Sequence, residues 1–304
     1  MKFGKLQDIS NVDFALPSAP SSNEAILARM EQSNEPAQVY VGCTGWSMKE
    51  WLGKVYAPGT KAKDFGREYT KQFNTIEFNT THYRIPSPAM VEKWYIESAP
   101  DFKFCPKIPQ SISHARDLGF GGGALVQFCE TIQGLKEKLG CCFMQLPPYF
   151  GVDRLHVLIP FLKNFPSHIP LAIEMRHESW FDNERNLNDL LETLATYNKT
   201  AVITDVAGRR DVLHMGLTNT TAMIRFVGND LHETDYSRIS EWVEQLKNWM
   251  NKGCKEIYFF THEPDNILAP EMAAYLVEKI QKETNAVVRG PNFYDENAGQ
   301  MSLF

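Results

Sequence analysis

The stretch LAIEMRHESWFDNERNLNDLLETLATYNKTAVITDV (171–206) carries the fold in miniature. It opens on the apolar run LAIEMR (171–176) and closes on AVITDV (201–206), with a helix candidate over Glu184–Asn198 between them. Strand, helical crossover and second strand make the unit from which parallel sheets are built. Six more such runs lie to either side: QVYVGC (38–43), TIEFNT (75–80), KFCPKI (103–108), CCFMQL (141–146), AMIRFV (222–227) and EIYFFT (256–261). Amphipathic stretches follow most of them, at Asp64–Gln72, Ala89–Glu97, Ala124–Leu139, Val152–Asn164, Tyr236–Asn251 and Glu271–Glu283. Several strands are almost continuously apolar, as a parallel sheet covered on both faces requires.

Eight strands that each need a crossover close most simply as a barrel. The expected fold is therefore α/β, a single (β/α)8 TIM-like barrel with an N-terminal extension and a short C-terminal tail. The alternative is an open doubly wound sheet. Neither a GxGxxG turn nor a GxxxxGK[ST] loop is present to support it, and Gly121-Gly122-Gly123 stands too far past its strand to read as more than a loop. The domain reading is an extension over 1–37, the barrel over 38–289 and a tail over 290–304. The extension is rich in Ser, Pro, Asn and Glu, and its one helix candidate is Asn23–Glu31, with Ser22 as N-cap. It is expected to lie over the barrel or to be partly disordered.

The 304 residues are 43% hydrophobic, enough for a sizeable core. A net charge of −6 offers no general attraction to nucleic acid or an anionic membrane, though it allows a local basic site. Six cysteines without a CxxC pair read as buried free thiols in a reducing compartment. No run approaches the ~18 apolar residues of a membrane span, and MKFGKLQDISNVDF lacks the core of a signal peptide. The cytoplasm is the expected location.

Five blocks point to a family. GCTGWSMKEWLGKVYAPG (42–59), FNTIEFNTTHYRIPS (73–87), FKFCPKIPQSISH (102–114), FMQLPPYF (143–150) and AIEMRHESWF (172–181) resemble, in order and spacing, the domain-of-unknown-function family 72 (YecE-like). The resemblance implies a TIM-like barrel and brings no established activity. After strand eight the family usually carries an asparagine-containing turn, where this chain reads Thr261-His262-Glu263-Pro264, so that His262 stands in the asparagine's place.

Strand parity then separates the two faces of the sheet. Ile76 and Phe78 oppose Glu77 and Asn79; Ile173 and Met175 oppose Glu174 and Arg176. Lys107, Gln145, Asp205 and Arg225 also fall near strand C-termini, the face where barrel enzymes keep their sites. Unpaired burial of so many charges would cost several kcal/mol per ion, so they must pair with one another, hold water or face a ligand. Lys107, Arg176 and Arg225 suit a phosphate or carboxylate. Glu77, Glu174 and Asp205, alone or with His177 or His262, suit a general base or a divalent metal, although no HExxH or other compact metal motif accompanies them. Asn79 and Gln145 add amides for substrate contact. The aromatics Trp46, Tyr83 and Trp180 follow strands one, two and five; Trp46 and Trp180 offer a stacking wall for a ring, and the alternative for these aromatics is packing of the loops. His82 and His114 read as hydrogen-bonded loop residues.

The chain ends Gln300-Met301-Ser302-Leu303-Phe304, which resembles the peptide that docks bacterial replication and repair proteins on the sliding clamp. In that mode Gln300 orients an extended peptide while Leu303 and Phe304 enter an apolar pocket. The alternative is a tail packed on the protein's own surface. Three functions follow. One is a hydrolase or lyase acting on a phosphorylated or nucleic-acid substrate. The others are a non-catalytic ligand- or nucleic-acid-binding adaptor attached to the clamp, and a sugar-handling or isomerase-type barrel.

Overall fold

The computed structural model describes residues 4–20, 22–29 and 35–294. Nine strands lie within them: β1 (Gln38–Cys43), β2 (Thr75–Phe78), β3 (Lys103–Pro106), β4 (Cys142–Gln145), β5 (Leu171–Glu174), β6 (Thr200–Asp205), β7 (Thr221–Val227), β8 (Glu256–His262) and β9 (Val287–Arg289). The first eight are the expected apolar runs. The ninth is an addition, set beside β1 through Val39 and Val288.

Helices stand between the strands with local signals at their starts. Ser87 accepts from the Met90 amide at 3.3 Å ahead of Pro88–Glu97, and Asn183 accepts from that of Asn186 at 2.9 Å ahead of Glu184–Thr196. Pro270 occupies the first turn of Ala269–Glu283, where its missing N–H costs nothing. The expected helix over Ala124–Leu139 stops at Ile132 and continues as a tighter turn broken at Lys136, whose φ is 51°. The extension's helix runs over Ser22–Leu27, and the Ser22 hydroxyl finds no partner there, so it does not cap as expected.

Every strand pairing is parallel, but the ladders form two sheets and not one ring. One runs β4-β5-β6-β7-β8-β1-β9 and the other is β2-β3. The closed barrel expected from the sequence is thus met as an α/β fold with a mostly parallel sheet. At the β1/β2 seam side chains replace the ladder: Asn74 accepts from the Val41 amide at 2.8 Å and donates to the Val39 carbonyl at 2.9 Å. Beside it the Tyr69 hydroxyl accepts from the Cys43 amide at 2.7 Å and donates to the Thr75 carbonyl at 3.1 Å. At the β3/β4 seam, single backbone bonds from Gly140 to Phe104 and from Ile108 to Phe143 stand alone, at 2.7 and 2.8 Å.

Parity sorts the core. Tyr40, Cys105, Cys141, Phe143, Ala172, Val202, Met223, Tyr258 and Phe260 form one buried cluster on one face of the strands. Alternate residues such as Val41, Ile76, Ile173, Ile203 and Ile224 pack outward in two larger clusters beneath the helices. All six cysteines are buried and free, as expected, and burial pushes the Cys43 and Cys254 thiols up to about 12. Among the described residues no helix is long and apolar enough to cross a membrane.

Candidate functional site

Beyond the apolar cluster, one step toward the strand C-termini, the same face turns polar. Arg225 of β7 is the hub. Its Nε and Nη2 donate to Glu77 of β2 at 2.8 and 3.1 Å, and its Nη1 donates to Glu174 of β5 at 2.8 Å. Glu77 also accepts from His262 Nε2 at 2.8 Å and from Asn79 at 2.9 Å, and Asn79 donates in turn to the Thr44 hydroxyl at 2.6 Å. Glu174 accepts from Arg176 Nε at 3.1 Å, and its two oxygens both accept from Gln145 Nε2, at 3.0 and 2.9 Å. The Gln145 carbonyl takes a bond from Lys107 at 3.0 Å, which completes a chain from β8 through β2, β7, β5 and β4 to the end of β3.

Both carboxylates are 1% exposed, so their ionisation is decided by these partners. Burial works against the charge on Glu77, yet Arg225 and His262 hold its carboxyl well below the usual range. Burial opposes Glu174 likewise, and Arg225, Arg176, Gln145 and Lys107 bring it down to about 2. Lys107 goes the other way: burial and the nearby Arg225 lower its amine to about 8, against the pull of Glu77 and Glu174. Its Nζ lies 5.6 Å from the centre of the Phe143 ring, close enough for that face to stabilise the charge. His82 and His114 stand 5.9 Å apart beside this group, and burial, Lys107 and Arg176 depress both. Both are tied to the loops as expected, His82 to the Ile108 carbonyl at 3.0 Å and His114 to Ser113 at 2.9 Å.

A cavity of about 610 Å³ opens on this network. Arg176, Arg225, Thr204 and His262 lie on one side of it, the turns at Gly228–Asp230 and Glu263–Asn266 on another, and Gly4–Gln7 with Ile9 of the extension across the top.

The structure therefore brings together Glu77, Glu174, His262, Asn79, Lys107, Gln145, Arg176 and Arg225. It leaves out five residues, Asp205, Trp46, Trp180, Tyr83 and His177. Asp205 faces the helices: it accepts from Trp242 at 2.8 Å, pairs with Arg238 at 2.8 Å and is also bonded by Arg210. The reason is parity, since Thr204, not Asp205, is the register partner of Arg225. Trp46 packs among Tyr69, Phe78 and Phe104, and Trp180 is buried with its indole donating to the Phe150 carbonyl at 2.7 Å, and neither lines this cavity. Tyr83 is exposed. His177 accepts from the Ser179 amide at 3.1 Å as a cap. Gln300, Leu303 and Phe304 lie outside the described residues. Among the described residues no group of three or more His, Cys, Asp or Glu is gathered in the manner of a metal site. Sequence reading passed over Thr44, Thr204 and Glu263; alternation from Val202 signals Thr204, whereas nothing local signals the others.

Comparison with known proteins gives relatives without an assigned activity. A family model described as "Protein of unknown function DUF72" matches residues 40–296. The UPF0759 protein YecE of Escherichia coli (strain K12) is 29% identical over 262 residues, covering 80% of this chain and 93% of that protein. The UPF0759 protein YunF of Bacillus subtilis (strain 168) is 27% identical over 155 residues, 47% of this chain and 52% of its own. A crystal structure of a DUF72 family protein from Enterococcus faecalis V583 superposes with a TM-score of 0.68 at 18% identity, over 85% of this chain and 98% of that one, a likeness of fold.

Proposed function

This chain belongs to the DUF72 family of proteins of unknown function, and within it we propose an enzyme, a hydrolase or lyase, acting on a small phosphorylated or carboxylated substrate. The observation that carries this reading is the charge of the network. Three cations, Lys107, Arg176 and Arg225, share two carboxylates, Glu77 and Glu174, inside one chain of hydrogen bonds. The surplus of the network is positive, and two of its cations, Arg176 and Arg225, line a cavity within a molecule whose net charge is −6. A buried surplus of this kind is best offset by an anion.

Arg225 spends three of its five N–H donors on the carboxylates, and two remain for an oxyanion. Its plane is fixed at both ends, so little entropy is lost when an oxyanion takes the rest. Glu77 has a separate task. By accepting the Nε2 proton of His262 it fixes the tautomer and leaves the lone pair on Nδ1, the arrangement of a general base backed by a carboxylate. The base would take a proton from water or from substrate.

The parallel strands support a closed (β/α)8 barrel as the frame of this site, with 38–289 as one domain. Eight of the nine residues of the interior cluster lie on seven strands, with only two seams between ladders. Six buried free thiols suit a reducing cytoplasm. The terminal Gln300–Phe304 peptide supports a second partner, a bacterial sliding clamp. Binding of purified clamp by the full chain, lost on deletion of residues 300–304, is the expected result, and a clamp-binding protein with no turnover would favour the adaptor.

Calorimetric titration with inorganic phosphate tests the central reading. The full chain is expected to bind it, and Arg176→Ala to weaken that binding by about tenfold or more, the worth of one charge-assisted hydrogen bond. His262→Asn should retain binding and lose turnover. A chain that takes up no phosphate, carboxylate or sulfate overturns the proposal.

A further inference from the structure

Two residues of the cavity wall each carry a buried polar atom without a partner. The Thr204 hydroxyl and Glu263 Oε1 are both buried, on residues 3% exposed, and neither makes a hydrogen bond. Both residues line the same cavity as Arg176 and Arg225. An orphaned buried hydroxyl or carboxyl oxygen is costly, and two of them on residues of one cavity wall are explained by a ligand that satisfies both. Thr204 is the cross-strand register partner of Arg225 and so sits next to the guanidinium, at the anion's end. Glu263 follows His262 at the end of β8 and lies under the Asp230 turn. Its Oε2 accepts from the Asp230 amide at 2.9 Å.

Resting on the anion reading above, we propose that the substrate is a hydroxylated anion, a phosphorylated or carboxylated polyol. Its oxyanion is held by Arg176, Arg225 and the Thr204 hydroxyl. A hydroxyl further along the molecule accepts a hydrogen bond from Glu263 Oε1.

For Glu263 to donate it must carry a proton, and its surroundings agree. Among the described residues no cation pairs with it. Burial pushes its carboxyl up to about 8, and Asp235 and Asp230 add to this against the backbone amides of Asp230 and Leu231. The charged and titratable groups around it are Asp235 on the helix Glu233–Asn251, Asp230 on the turn, His262 before it, and Lys5, Arg225 and His232 on the same cavity wall. With Oε2 engaged as an acceptor, Oε1 is the oxygen left to hold the proton. Gly228 makes room for it: a Cβ there would stand 2.2 Å from Oε1.

The test compares two probes, inorganic phosphate and glycerol phosphate, on the full chain. Glycerol phosphate is expected to bind about tenfold tighter. Glu263→Ala should erase that preference, and Glu263→Gln, whose amide can donate in place of the acid, should keep it. Thr204→Val should weaken both probes by about tenfold. Equal affinity of the wild type for the two probes, or a preference that survives Glu263→Ala, overturns this inference and leaves the anion reading standing; no binding of either overturns both. If Glu263→Ala does not fold, carboxyl 13C titration of the wild type against Glu263→Gln decides instead. A signal missing from the variant should titrate near 8, and a midpoint near 4.5 would overturn the assignment.

Discussion

Arg225 shows how one residue organises a site without being the strongest signal in the sequence. It stands in AMIRFV (222–227) as a lone charge in an apolar strand, which reads as either a structural ion pair or a ligand contact. In the structure it is an ion pair to two carboxylates, one from β2 and one from β5, and it also lines the cavity. Arg225→Met leaves Glu77 and Glu174 buried without their main counter-charge, and we expect it to cost about 3–5 kcal/mol in urea unfolding. Adding Glu77→Gln and Glu174→Gln should recover much of that loss, since an uncharged trio needs no compensation. The pH dependence follows from the same residues. Glu174 is lowered from 4.5 to about 2 and Glu77 lies well below its own 4.5, so their contribution is present above about 4.5 and is lost as the pH falls through the folded values. Lys107, whose value is also lowered in the fold, gives a slope of the same sign at the alkaline end. Between about 8 and 10.5 the unfolded chain still holds a proton that the folded chain has released, so stability rises with pH there, and Lys107→Met should remove that rise. Glu263 is raised instead. Its contribution is full below 4.5 and is lost as the pH rises to about 8, so Glu263→Gln should gain on the wild type across that window and hold a constant margin above it.

Among the elements, the β1/β2 seam is where side chains do the work of a ladder. Asn74→Ala orphans the Val41 amide and the Val39 carbonyl, and about 1–3 kcal/mol for each unpaired group is the expected loss. Asn74→Asp keeps the acceptor for Val41 and should fall between the two, with faster hydrogen exchange at the Val41 amide of the alanine variant as the local readout. Gly42 permits the approach: a Cβ at that position would stand 2.1 Å from the Thr75 carbonyl oxygen, so Gly42→Ala should push the strands apart and destabilise more than its small volume suggests. These facts mark the limit of reading the elements from sequence. All eight apolar runs are strands, because length and near-continuous hydrophobicity are local properties. The seam was not legible, since an amide that replaces backbone bonds leaves no periodicity. Asp205 is the reverse case. Alternation from Ile203 places it outward, and only its closeness to a strand end made it look like part of the site. Glu77, Glu174 and Arg225 were found because parity and strand-end position agree for them.

At the scale of the whole molecule the N-terminal extension lines the cavity, the first of the two arrangements its composition allows, lying over the strands or partial disorder. Gly4–Gln7 and Ile9 form one side of the cavity. The segment is held at three points: the Gly4 carbonyl accepts from the Gly208 amide at 2.8 Å, Lys5 donates to the Pro264 carbonyl at 3.3 Å, and Arg210 donates to the Phe14 and Ala15 carbonyls at 2.9 and 3.1 Å. The Phe14 ring lies 4.8 Å from the Arg238 guanidinium, which stacks on Phe226 from its other side at 4.1 Å. The arginine pair that secures the extension is itself anchored on Asp205, so the residue that does not enter the cavity still helps to place its roof. No residue of 4–16 is fully buried, and the segment should detach at lower cost than the strands unfold. Deleting residues 1–16 is therefore expected to leave the main unfolding transition near its wild-type midpoint while removing one wall of the cavity. Bound glycerol phosphate, followed by stopped-flow dilution, should then dissociate several-fold faster, because a ligand enclosed on one side fewer is held by fewer contacts. Phe14→Ala tests the attachment more gently. It removes one aromatic face from Arg238, worth about 0.5–2 kcal/mol, and should accelerate dissociation in the same direction by a smaller factor. A dissociation rate indifferent to both changes would mean that residues 4–9 line the cavity without enclosing its ligand.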